Sequence, residues 1–110
     1  MSFRYILPGA FALAISFTPL AFTAPAFAAD HAVDIRGMKF SVPALEVAVG
    51  DTVTFTNRDG APHTATAKDG AFDTGRLAKG QSATITVSKA GTFDYFCAVH
   101  PSMKASITAK

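Results

Sequence analysis

The stretch Thr92-Phe93-Asp94-Tyr95-Phe96-Cys97-Ala98-Val99-His100-Pro101-Ser102-Met103 joins a strand pattern to a ligand pattern. Its first half alternates Phe93, Tyr95 and Cys97 against Thr92, Asp94 and Phe96, the period of two that marks a half-buried strand. Cys97 therefore lies on the inward face, at the strand's end. The second half reads C-x-x-H-x-x-M. A thiolate, an imidazole and a thioether at three-residue intervals turn back on a single ion only where the backbone bends, and Pro101 fixes φ in that bend. A second imidazole is available at His63, preceded by Pro62, in a loop after a strand-like run. Two His, one Cys and a weak axial Met form the donor set of copper electron-transfer sites, because soft sulfur suits Cu(I) and imidazole suits both oxidation states.

Each of these residues has an ordinary reading when taken alone. A single Cys is most often a small buried hydrophobe, Met103 would fill core, and His63 would be a satisfied loop histidine. Their joint occurrence is what points to a metal. Zinc would take the Cys and both His, but thioether is not a usual zinc ligand and the loop offers no fourth Cys, His or carboxylate. A Cys nucleophile with His63 or His100 as base and Asn57 as orienter has the composition of a hydrolase. So small a domain leaves little room for a substrate cleft, and Cys97 ends a strand rather than opening an activating helix. The expectation is a binding protein and not an enzyme.

Outward from this stretch the chain reads as short strands between turn signals, with no sustained helical period. His31 to Phe40 carries Val33 and Ile35 in alternation, with Gly37 as a turn. Ala44 to Val49 alternates Leu45, Val47 and Val49 against Ala44, Glu46 and Ala48, and Gly50-Asp51 turns the chain. Thr52 to Asn57 places Val53 and Phe55 inward and threonines outward. His63 to Ala67 is a weaker strand. Ser82 to Ser88 alternates Ala83, Ile85 and Val87 against hydroxyls, and Ala105 to Ala109 closes the domain. Phe72 and Leu77 are expected to cover the core, and His31 to be exposed. The pattern predicts an all-β, antiparallel-rich, two-sheet Greek-key β-sandwich.

The 110 residues allow one small domain, preceded by a segment of different character. Met1 to Ala28 has a basic start at Arg4, an apolar run and the small-residue end Ala26-Phe27-Ala28, which fits a secretory signal peptide cleaved after Ala28. An uncleaved anchor is the alternative, disfavoured by Pro8, Gly9 and Pro19 within the run. Residues 1–28 are thus expected as the leader and 29–110 as the domain, periplasmic and with no stable membrane insertion after cleavage. Losing Arg4 takes the formal charge from +2 to +1. Near neutrality gives no electrostatic case for nucleic acid. One Cys cannot make an internal disulfide, so in an exported chain it bridges to another molecule, reacts, or binds metal. After such a cut, Ala29-Asp30-His31 would also present an amine, two amides and an imidazole, a set able to take Cu(II) in a square plane.

From Phe40 to Thr108 the sequence resembles the cupredoxins, and within them the amicyanins of the plastocyanin and pseudoazurin group. The resemblance rests on Val49-Gly50-Asp51-Thr52-Val53-Thr54-Phe55-Thr56-Asn57, on Asn57-Arg58 leading to Pro62-His63, on Gly91-Thr92-Phe93-Asp94-Tyr95, and on the short Cys97-to-Met103 loop. It implies one copper ion cycling between Cu(I) and Cu(II), with His63, Cys97 and His100 as strong ligands and Met103 as the weak axial one. It also implies that Asn57 ties the His63 loop to the Cys97 loop from behind the ligands. The implied function is single-electron transfer by a monomeric blue (type 1) copper protein, between a donor such as a periplasmic dehydrogenase and an acceptor such as a c-type cytochrome or an oxidase. A periplasmic copper carrier or sequestering protein with the same ligands is the alternative. Phe96 stands where amicyanins carry His, and Ala98-Val99 where they carry Thr-Pro, so the surface near the metal need not match theirs and the resemblance leaves open whether methylamine dehydrogenase, the partner of that group, is the partner here.

Overall fold

The computed structural model describes residues 28–110, so the leader expected over residues 1–28 lies outside the described residues except for Ala28. Eight strands follow in order: β1 Asp30–Arg36, β2 Lys39–Phe40, β3 Ala44–Val47, β4 Thr52–Asn57, β5 Thr66–Ala67, β6 Ser82–Thr86, β7 Gly91–Phe96 and β8 Lys104–Ala109. They form two four-stranded sheets, ordered β2-β1-β4-β6 and β3-β8-β7-β5. This is the expected two-layer all-β sandwich. Among the described residues no helix is long and apolar enough to cross a membrane.

Both sheets are mixed. β1 runs parallel to β4 and β3 parallel to β8, while the other strand pairs are antiparallel. Parallel neighbours cannot be joined by a tight turn, so the chain leaves one sheet and returns before each such pair closes. Alternation along a strand tells which face is buried. It does not name the neighbour.

β4 shows how the sequence produces the layer: Val53, Phe55 and Asn57 are buried, and Thr52, Thr54 and Thr56 face outward. Opposite them across the ladder stand Thr86, Thr84 and Ser82. Thr54 and Thr84 share a 2.8 Å hydroxyl hydrogen bond, and Thr56 and Ser82 one of 2.7 Å. Inside, Val33, Ile35, Val53 and Phe55 of one sheet meet Tyr95 and Ile107 of the other and Cys97 just past the end of β7, all fully buried. Each large apolar side chain so buried contributes about 1.5–3 kcal/mol. Tyr95 packs edge-on against Phe40 at 4.7 Å and Phe55 at 5.5 Å between ring centroids, and Phe72 stacks on Phe55 at 6.2 Å. Leu77 is buried beside them. The Tyr95 hydroxyl is the one buried side-chain polar atom without a partner among the described residues, and burial pushes its pKa well up.

Several boundaries differ from the sequence reading. The strand expected over Ala44 to Val49 ends at Val47 and Val49 is 45% exposed, because Ala48 already begins the Asp51 turn. The strand expected over His63 to Ala67 shrinks to Thr66–Ala67, since His63 instead bridges to Leu77. The run to Ser88 ends at Thr86, and Val87 is held by backbone bonds to Gly50 and Asp51. His31, expected to be exposed, is half-buried and hydrogen-bonded to Asp51 at 2.9 Å. Between β1 and β2, Gly37 and Met38 both have φ near 60°, as a two-residue hairpin turn requires.

Candidate metal centre

β7 delivers Cys97 to one end of the sandwich, and the seven positions from Cys97 to Met103 form the connection to β8. Phe96 pairs with Lys104, so the loop is closed at its root by the ladder. The Cys97 N–H donates to the Met103 carbonyl at 3.1 Å, and the Met103 N–H donates to the His100 carbonyl at 2.9 Å. The second bond makes His100-Pro101-Ser102-Met103 a β-turn with proline at its second position, where a fixed φ near −65° fits. Pro101 itself is exposed, whereas Met103 is 5% exposed.

The second histidine comes from the loop after β4. His63 and Leu77 exchange backbone hydrogen bonds of 3.1 and 2.8 Å, which fixes the histidine's backbone on both sides. Its ring is fully buried. Nε2 lies 2.9 Å from Asp59 Oδ2. An ionised carboxylate only accepts, so the ring proton sits on Nε2 and Nδ1 presents a lone pair inward. Asp59 is held in turn by the N–H groups of Met38 at 2.9 Å and Gly37 at 2.8 Å. Those two bonds, with the one from His63, keep its carboxyl below the usual range.

Three donor atoms converge at this end. Cys97 Sγ lies 3.7 Å from His63 Nδ1 and 3.8 Å from His100 Nδ1, and the two nitrogens are 3.2 Å apart. Metal bonds of about 2.0–2.1 Å to imidazole and about 2.3 Å to thiolate, set 120° apart, give edges of about 3.6 Å between nitrogens and about 3.8 Å between sulfur and nitrogen. The triangle fits one first-row ion. Cys97 and His63 are fully buried and His100 is half-buried. Burial pushes the Cys97 thiol up, but the Thr64 N–H, both imidazoles and the His100 backbone outweigh it and bring the pKa down to about 6. A thiol poised as thiolate is what a metal needs.

The structure thus brings His63, Cys97 and His100 together and buries Met103 at the end of the same loop. Asn57 sits elsewhere than expected. Its side-chain amide donates to the carbonyls of Ala61 and Leu77, both at 2.8 Å, and its oxygen accepts from the Asp59 N–H at 2.9 Å. It braces the His63 loop against the Leu77 segment. The tie to the Cys97 loop is made by Thr64: its N–H points at Cys97 Sγ at 3.4 Å and its hydroxyl accepts from the Ala98 N–H at 2.8 Å. Sequence reasoning missed both Thr64 and Asp59. A carboxylate four residues before His63, in a turn-rich loop, was the available signal for Asp59, whereas no spacing rule marks Thr64.

Comparison with known proteins agrees with this geometry. The model of the cupredoxin-like domain matches residues 9–109, which takes in the segment ahead of β1. Amicyanin of Paracoccus denitrificans is 39% identical over 83 residues, covering 71% of this chain and 63% of its own length. The chain therefore spans less than two thirds of that relative. A solved Cu(I) form of an amicyanin variant superposes with a TM-score of 0.70 at 37% identity, covering 74% of this chain and 82% of the variant. A copper-containing nitrite reductase from Thermus scotoductus gives a TM-score of 0.69 at 32% identity, with 74% of this chain matching 22% of that one. Fold, donor triangle and similarity agree, and the chain belongs to the cupredoxin-like domain family.

Proposed function

We propose that the protein is a small exported blue copper protein that carries single electrons between redox partners. The observation behind this reading is the convergence of a buried Cys97 Sγ with the Nδ1 atoms of His63 and His100, all within 4.8 Å of one another. Those three residues would hold copper, with Met103 as a weak fourth ligand, and copper bound there would supply a one-electron Cu(I)/Cu(II) couple. The chain's own part is to hold the donors still. Asp59 fixes the His63 tautomer, Thr64 joins the His63 segment to the Cys97 loop, Asn57 braces the loop from behind, and Pro101 shapes the turn that carries His100. Donors that keep one arrangement in both oxidation states need little rearrangement on transfer.

His100 is the half-buried member of the set, so its ring edge is the route from the site to a partner. The partners fitting this reading are a periplasmic dehydrogenase as donor and a c-type cytochrome or oxidase as acceptor, met by a monomer. A leader over residues 1–28 delivers residues 29–110 to the periplasm. No substrate bond is made or broken, so this domain is an electron carrier rather than an enzyme. A copper carrier could share the ligands, but burial of Cys97, His63 and Met103 disfavours ready release of the ion. Titration with Cu(II) tests the reading. One equivalent should give an intense blue thiolate-to-copper band, lost in Cys97→Ser. A colourless adduct at the intact site would sink it.

A further inference from the structure

Asp51 is a buried carboxylate far from the donor triangle in sequence and unused by it. It is 6% exposed. Its Oδ2 accepts from the Ala48 N–H at 2.9 Å and faces His31 Nε2 at 2.9 Å, and its Oδ1 accepts from the Ala29 nitrogen at 3.0 Å. The Ala48 bond shapes the turn between β3 and β4. The other two bonds reach across to the start of β1, where the Ala29 carbonyl also accepts from the Thr52 N–H at 3.0 Å and Asp30 opens the parallel register against Thr52. Ala29 is also the residue directly after Ala26-Phe27-Ala28, the cleavage signal of the leader. Two independent observations, a sequence signal for a cut and a buried anion on the nitrogen the cut would free, meet at one atom.

We propose that Asp51 is the receptor for a processed amino terminus: once the leader is removed, the α-ammonium of Ala29 sits on the Asp51 carboxylate and locks β1 onto β4. The inference rests on the leader reading given under Proposed function. Hydrolysis of the Ala28–Ala29 bond by a leader peptidase consumes one water, leaves the new carboxylate on the leader, and frees an amine on Ala29. That amine takes up a proton at neutral pH, since α-amino groups titrate near 7.7–8.0. A neutral amide donor to a buried carboxylate becomes a charged one, and charge-assisted hydrogen bonds are roughly twice as strong as neutral ones. The carboxylate then faces an ammonium and the His31 imidazole together. Export and maturation are thereby linked to stability, because the processed chain holds a strand pair more tightly than its precursor.

The same arrangement opposes the square-planar Cu(II) site that Ala29-Asp30-His31 suggests by sequence. Chelation through three successive nitrogens would take Ala29 off Asp51 and peel Asp30 from Thr52.

The test uses protein exported with its leader and purified after processing. Mass spectrometry should show Ala29 as the first residue. The processed protein and its N-acetylated form are then unfolded in urea, each with and without Asp51→Asn; acetylation keeps the N–H donor and removes only the charge. Acetylation should raise the unfolded-to-folded ratio about tenfold with Asp51 present and less than about twofold in Asp51→Asn. Because Asp51→Asn also touches the β3–β4 turn, a measurement on the unaltered protein accompanies it. The Ala29 amine should react with an acylating reagent at least about tenfold more slowly in the folded protein than in urea, because the Asp51 carboxylate keeps it protonated and engaged. A first residue other than Ala29, an acetylation effect independent of Asp51, or equal acylation rates would each overturn the proposal.

Discussion

Replacing Thr64 by valine separates the two things this residue does. Valine keeps the branched shape and the backbone N–H that points at Cys97 Sγ, and removes only the hydroxyl. That hydroxyl accepts from the Ala98 N–H at 2.8 Å and shares a 2.9 Å bond with the Thr66 hydroxyl. Thr66 retains its bond to Asp73 at 3.1 Å, so its loss is small. Among the described residues the Ala98 N–H has no other acceptor, and a donor left without a partner costs about 1–3 kcal/mol where it is buried. Ala98 is exposed and water can reach its N–H, which places the cost at the lower end, about 1 kcal/mol at most. For a domain of this size that is a fall in Tm of roughly 4–8 °C. Urea and thermal unfolding of the metal-free protein measure it, with Thr66→Val as the control for the second hydroxyl. The blue band of the Cu(II) form should persist, because the N–H to sulfur bond is backbone, while copper should leave Thr64→Val faster through the loosened loop. A Thr64→Val protein within about 0.5 kcal/mol of the parent, the scatter of ordinary surface changes, and with unchanged copper loss would refute the bridging role.

Tyr95→Phe deletes a buried hydroxyl that has no partner and should raise stability by about 1 kcal/mol; a loss instead would reveal a hydrogen bond to an ordered water. Met38 holds φ at 60°, which costs an L residue about 1–2 kcal/mol, so Met38→Asn should stabilise the β1–β2 turn by about half a kcal/mol or more in urea unfolding. Asp59→Ala frees the outer nitrogen of His63 and should weaken copper affinity about 10–100-fold, read by competition with a chelator. Hydrogen bonds from His31, Ala48 and Ala29 hold the Asp51 carboxyl below its ordinary value, against the opposing effect of burial. Its contribution is therefore fully present above the unfolded-chain value of about 3.9 and is lost as pH falls through the folded value. The parent should lose stability on acidification below about pH 4 more steeply than Asp51→Asn, and parallel acid limbs would count against the assignment.

The layers of this fold were legible because alternation is local: Val53 and Phe55, or Tyr95 and Cys97, announce their buried face within a few residues. Pairing was not. Nothing in the spacing says that β1 lies beside β4, or that His63 leaves its strand to bridge to Leu77, since both depend on where distant segments arrive. The donor set was legible for a similar reason. C-x-x-H-x-x-M is a local device, and His63 is marked by the proline before it in a loop that follows a strand. The groups that orient the donors were harder to see. The amide of Asn57 fits any pair of carbonyls, and only the path of the loop selects Ala61 and Leu77. Asp59 and Thr64 are common loop residues whose importance comes from the 2.9 and 3.4 Å contacts they make after folding.

The separation of the donors along the chain sets an order of assembly. Cys97 and His100 stand three residues apart, so a nascent chain offers them together before any sheet exists. His63 is 34 residues from Cys97, and closing a loop of that length costs about 3 kcal/mol of chain entropy beyond a constant. In the folded protein that cost is already met by the sheets: β5 lies against β7, and the His63–Leu77 bridge sets the ring in place. The fold is also rich in contacts between distant segments, the parallel β1–β4 and β3–β8 pairs above all, and such topologies close slowly, in milliseconds to seconds. An ion met before closure finds two donors on a flexible loop, and one met afterwards finds three already convergent. Metal capture by this chain should therefore be fast and tight only after the strands have closed, which makes the timing of copper supply relative to folding a determinant of how much working protein a cell obtains.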